Sequence, residues 1–200
     1  MGCLKKLIKC AILALAVVGF LSLGGKEWIM GLVDNYAHKS DKETVLEKAQ
    51  KVGDFSKINE EYQLEKATGV MGYNGVLAEH KSSGQKMVVV DDNKKPLLTR
   101  EDITSGNIEE KLKKSLGKIK YQAIGVEEFQ IVKHGEMTSY GKKVPYVRFK
   151  AKVSRLPIGE VGGIVAVTTD KNGEDRILLS VNENAKYSQV LSEEFFKSVK

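Results

Sequence analysis

The stretch VPYVRFKAKVS, residues 144–154, constrains the fold most tightly. Val147, Phe149, Ala151 and Val153 fall on one side of an extended chain, and Arg148, Lys150 and Lys152 on the other. That period of two belongs to a half-buried strand. Upstream, GVEEFQIVKH (125–134) reads as its partner, with a turn around Tyr140 and Gly141. Downstream, GGIVAVTTD and DRILLSVNE flank KNGE (171–174), whose Asn-Gly pair between apolar runs is the strongest hairpin signal in the chain. Four consecutive strands joined by short turns predict an antiparallel sheet.

Other elements arrange themselves around those strands. Residues 62–92 are rich in glycine and β-formers, with turn signals at Asn74-Gly75 and at SSGQ (82–85), and read as two or three short strands. Thr99 with Asp102 has the form of a capping box, and Ser105 or Asn107 is placed to start a second helix. In NIEEKLKKSLGK the residues Ile108, Leu112 and Leu116 share one helical face, closed by Gly117. The last segment places Tyr187, Leu191, Phe195 and Val199 at steps of four, as an amphipathic helix packed on a sheet requires. The expected class is α+β: an N-terminal transmembrane helix, then an antiparallel β-sheet flanked by helices, in the order strands, helix, four strands, C-terminal helix.

The N-terminus supplies the transmembrane expectation. Lys5, Lys6 and Lys9 precede an uncharged run from Cys10 to Gly25, about 24 Å long as a helix at about 1.5 Å per residue. Lys9 can snorkel to the cytoplasmic interface, and Trp28 suits the opposite headgroup layer. Ser22 and Gly24 are a weak match to a cleavage site. The reading is a single-pass signal anchor that contacts the cytoplasmic membrane through residues 7–25, its N-terminus cytoplasmic and its C-terminal domain outside. The alternative is secretion after cleavage near Gly24. The expected organisation is a basic tip, anchor and helical extension over 1–37, a polar helical tether over 38–58, and an extracytoplasmic α+β domain over 59–200. The tether carries one thin apolar stripe, Val45, Ala49 and Val52, with Gly53 as a terminator.

Charge and composition then exclude several functions. The net charge is +6, but four of the 32 basic side chains (Lys5, Lys6, Lys9 and Lys26) precede the first acidic residue, Glu27. Residues 27–200 carry 28 basic against 26 acidic side chains, which offers no concentrated basic face for a phosphate backbone. Nucleic acid is therefore not an expected partner. Both cysteines, Cys3 and Cys10, lie at the N-terminus, so the remainder has no disulfide framework and no thiolate chemistry. His38, His80 and His134 have no ligand-like spacing and read as exposed strand or turn positions. DKNGED (170–175) lacks the calcium-loop pattern and reads as a polar hairpin tip. TGVMGYNG and GEVGG lack the ending of a phosphate loop, and no serine sits in a hydrolase elbow. No catalytic residue, cofactor or metal ligand is expected. The one surface feature of interest is the cationic stripe Arg148, Lys150 and Lys152, three charges suited to an anion or an acidic partner.

The order of elements over residues 60–200 resembles the PsbP-like fold, an antiparallel sheet flanked by helices. The likeness is carried by KNGEDRILLSVNE as the final hairpin arm and by the closing YSQVLSEEFFKSV helix. The resemblance implies accessory and binding roles rather than catalysis, and it brings no partner with it. The functional expectation is thus a membrane-anchored extracytoplasmic accessory or binding domain, acting on an envelope protein or a small ligand. An exported hydrolase or metal-dependent enzyme built from scattered histidines and acids is the alternative.

Overall fold

A computed structural model of the chain describes residues 42–70, 73–91, 98–110, 126–153 and 160–200. The elements are α1 (Lys42–Ala49), β1 (Tyr62–Val70), β2 (Tyr73–His80), β3 (Lys86–Asp91), α2 (Arg100–Thr104), β4 (Val126–Ser139), β5 (Lys142–Val153), β6 (Glu160–Thr169), β7 (Asp175–Glu183) and α3 (Gln189–Ser198). The seven strands form one sheet in the order β1-β2-β3-β7-β6-β5-β4, and every neighbouring pair is antiparallel. The protein is a mixed α+β fold. Its sheet consists of two meanders, β1–β3 and β4–β7, joined where β7 lies against β3.

Residue type explains which strands are central. In β7, the seven residues Arg176–Asn182 are all buried, and β6 is buried from Val161 to Thr168. Strands so continuously buried are covered on both faces. On one face, Val76, Ala78, Met87, Val89, Ile164, Ala166 and Leu178 pack with Phe195 and Phe196 of α3 and with Val45 and Ala49 of α1. The alternate residues Leu77, Val88, Val147, Phe149, Val165, Ile177 and Leu179 are buried on the other face, as are Leu98, Ile103 and Ile108 of the α2 region, which packs on β5 and β6.

The apolar stripe Val45, Ala49 and Val52 lies within the stretch read as a tether. Those residues, together with Phe55, are buried in the helix-side core, so α1 is part of the folded unit. The physical reason is visible in the sequence. A stripe of three apolar residues on one helix face stabilises only by covering another apolar surface, here β1 and β2.

Local rules fix the turns. Tyr140 (φ 49) and Gly141 (φ 72) join β4 to β5 with two positive-φ residues, as primed hairpin turns require. Tyrosine is a costly choice there, and its hydroxyl donates to the Val52 carbonyl at 2.9 Å while its ring is buried. The capping box is present: Thr99 Oγ1 accepts from the Asp102 N–H, and Asp102 accepts from the Thr99 N–H. One turn differs from expectation. The β1–β2 register closes at Val70 and Tyr73, so Asn74 and Gly75 are strand residues opposite Gly69 and Thr68. Asn74 instead hydrogen-bonds through its N–H to Asp91 Oδ1, a tie that the turn reading could not foresee.

A polar staple docks α3. Gln85 is fully buried; its Nε2 lies 3.0 Å from Ser180 Oγ and 2.8 Å from the Ser188 carbonyl, and its Oε1 accepts from the Ser188 N–H. Of the second helix expected near Asn107, Ile108 is buried, and Leu112 and Leu116 lie outside the described residues. The anchor segment and His38 lie outside them too. No helix among the described residues is long and apolar enough to cross a membrane.

Candidate functional site

Strand β5 presents Arg148, Lys150 and Lys152 on one side and Val147, Phe149 and Ala151 on the other, the latter three buried. The cationic side is the one that carries α3: Tyr146, on the same side, receives a hydrogen bond on its hydroxyl from Gln189. Register then decides what each cation meets. Lys152 lies between Glu128 and Glu160, and its ammonium is 3.5 Å from Glu128 and 3.8 Å from Glu127. Lys150 lies between Gln130 and Gly162, neither of them acidic. Arg148 lies between Lys133 and Ile164.

The geometry therefore regroups the stripe. Lys152 is neutralised by neighbouring carboxylates, and Lys133 of β4 joins Arg148 and Lys150. Sequence reasoning missed Lys133 because a β-bulge between Ile131 and Lys133 shifts the alternation of β4. The guanidinium carbon of Arg148 lies 5.4 Å from the centre of the Tyr187 ring, a cation–π placement that orients the group. Arg148 Nε is buried and has no hydrogen-bond partner among the described residues. Burial, foremost, holds the hydroxyls of Tyr146 and Tyr187 in the protonated state beyond their ordinary range, so both present dipoles and not charges.

Other buried charges are internally matched. Lys86 is wholly buried, 2.7 Å from Glu65 and 2.8 Å from Glu79. Burial, together with a hydrogen bond shared with Glu79, pushes the Glu65 carboxyl up to about 7 against the pull of Lys86. For Glu79 burial acts upward as well, but hydrogen bonds from Glu65 and Lys86 outweigh it and its carboxyl titrates below the ordinary range. The arrangement holds one proton between two carboxylates beside a fixed cation.

A cleft of about 340 Å³ opens at the end of the sheet, between the loop after α1 and the β6–β7 hairpin. At its base Arg176 donates from Nη2 to Asp170 (2.9 Å) and Glu174 (2.8 Å), and from Nε to the Val52 carbonyl. Asp170 is buried, and its other oxygen accepts the N–H groups of Asn172 and Glu174. The residue read as part of a polar hairpin tip is thus the anchor of that turn.

His80 also departs from expectation. It is buried, its ring packs 5.1 Å from Tyr62, its Nδ1 lies 2.9 Å from Ser83 Oγ, and its Nε2 lies 3.5 Å from Glu61. Its position closing the SSGQ turn, with the Gly84 N–H bonded to the His80 carbonyl, accounts for this. His134 is exposed on β4. No group of three or more histidine, cysteine or acidic side chains among the described residues is placed to hold a metal ion. No protein-family model matches the chain, and no curated protein matches it in sequence.

Proposed function

We propose that the chain is a membrane-tethered accessory domain that works outside the cytoplasmic membrane by binding rather than by catalysis. One observation carries this reading. Deeply buried ions such as Lys86 and Arg176 are held by carboxylates within the fold, whereas Arg148, Lys150 and Lys133 form a cationic group with no ion-pair partner among the described residues. Charges kept apart from internal partners at a sheet margin are suited to recognition. The lysine-flanked apolar N-terminus supports the location. Membranes washed with alkaline carbonate test the tether: the full-length chain stays with the bilayer, whereas its release, like that of a chain shortened near Gly24, contradicts it. Purified full-length protein is expected to turn over no ester, glycoside or phosphoester. Hydrolysis abolished by a single carboxylate substitution contradicts the binding reading.

The Ser83–His80–Glu61 chain favours the alternative of an exported hydrolase, since a serine, a histidine and an acid are aligned. Against that role, Ser83 Oγ also accepts the Gln85 N–H and the histidine is sealed by Tyr62. Ester hydrolysis lost in Ser83→Ala would select the alternative.

A further inference from the structure

Arg148, Lys133 and Lys150 are an unusual trio for a strand pair. Arg148 and Lys133 are direct cross-strand partners, and like charges in that relationship oppose folding. Lys150, two residues along the same face, adds a third positive charge with only Gln130 and Gly162 beside it. By contrast, Lys86 is matched by Glu65 and Glu79, and Lys152, on the same strand face, by Glu127 and Glu128. Within the trio Arg148 is held from one side: its guanidinium carbon lies 5.4 Å from the centre of the Tyr187 ring, and its buried Nε has no hydrogen-bond partner among the described residues.

We propose that Arg148, Lys133 and Lys150 form a binding site for a single phosphate group. A planar guanidinium presents paired N–H donors that match phosphate oxygens, and two ammonium groups at its margin supply the remaining charge. An anion seated there relieves the Arg148–Lys133 repulsion and accepts from the guanidinium. The site deepens the binding reading above and rests on it, but it does not depend on the location of the domain. A phosphate group reaches such a surface either as a free anion or on a lipid headgroup, and the same experiment separates the two.

The test uses the full-length chain in neutral detergent, titrated with inorganic phosphate and, separately, with dihexanoyl phosphatidylglycerol, while the Arg148 Nε–H resonance is followed by NMR. The expected result is a saturable shift with at least one probe. Tighter binding of inorganic phosphate identifies a free anion, and tighter binding of the lipid identifies a headgroup. Lys133→Gln and Lys150→Gln each weaken the binding about tenfold, the loss expected for one charge-assisted contact. Lys143→Gln, which removes the same charge from an exposed position at the other end of β5, leaves it unchanged. Both lysine variants alter exposed or half-exposed side chains, so folding is retained, and amide spectra verify it. Absence of a saturable shift with both probes overturns the proposal, as does equal weakening by Lys143→Gln. Because short-chain probes need no bilayer, failure here leaves the membrane tether standing, and release of the chain from membranes leaves this site standing.

Discussion

Arg148 and Lys133 face each other across the β4–β5 ladder, on the side of the sheet that carries α3. Directly opposed like charges cost about 0.2–1 kcal/mol. In the unliganded protein Lys133→Gln is therefore expected to raise the melting temperature by about 1–3 °C. Thermal unfolding followed by circular dichroism measures it. A fall in melting temperature would show that Lys133 is stabilised by a partner in the folded protein.

Lys86 leads to the opposite expectation. Its ammonium is enclosed by Glu65 and Glu79, and Lys86→Met removes the cation while leaving both carboxyl groups buried. Breaking such a pair costs about 3–5 kcal/mol. The loss in urea unfolding is expected to be larger at pH 8 than at pH 5, since acid protonates the stranded carboxylates. An equal loss at both pH values would contradict the shared-proton arrangement.

The pH dependence of Glu65 has a definite sign. Its carboxyl is raised from an ordinary 4.5 to about 7 in the fold, so its contribution is complete below 4.5 and is lost as pH rises through about 7. Glu79, shifted down, contributes above its ordinary value and loses that contribution only as acid carries pH through its depressed value. Glu65→Gln imitates the protonated state. The variant is expected to lose less stability than the native protein between pH 5 and 8, by on the order of 2 kcal/mol. Parallel stability curves for the two proteins would contradict it.

Gly163 marks a close approach of β6 and β7. A methyl group there would collide with the Ser180 carbonyl oxygen and lie 2.7 Å from the Phe149 ring, too near for backbone and buried ring to yield. Gly163→Ala is expected to destabilise by about 1–3 kcal/mol, the usual cost of overpacking. Unchanged stability in urea would mean that the sheet opens more readily there than its packing implies.

The sheet was legible where alternation and turn chemistry act locally. The strand phase of β5, the KNGE hairpin, the Tyr140-Gly141 turn and the Thr99 capping box all follow from neighbours within a few residues. What was not legible depends on partners distant in sequence. Lys86 precedes a plain apolar run, and nothing nearby shows that Glu65 and Glu79 will meet it. Asp170 looked like a loop acid because its partner, Arg176, reads as one of the two polar residues that open a strand. Asn74-Gly75 has the composition of a turn, but the β1–β2 register places it inside a strand. The candidate site was half visible: Arg148 and Lys150 follow from alternation, whereas Lys133 joins them only through the bulge in β4.

The central claim is a domain held on the outer side of the cytoplasmic membrane, and its native cysteines make that directly measurable. Both lie at the N-terminus, so a cysteine replacing Thr138, an exposed residue of β4, is the sole thiol beyond residue 10. Intact cells producing Thr138→Cys in a chain with Cys3 and Cys10 changed to serine are treated with a membrane-impermeant maleimide. The account predicts labelling of the full-length chain in intact cells, to the extent seen after lysis. Labelling that appears only after lysis would place the domain inside and contradict the account.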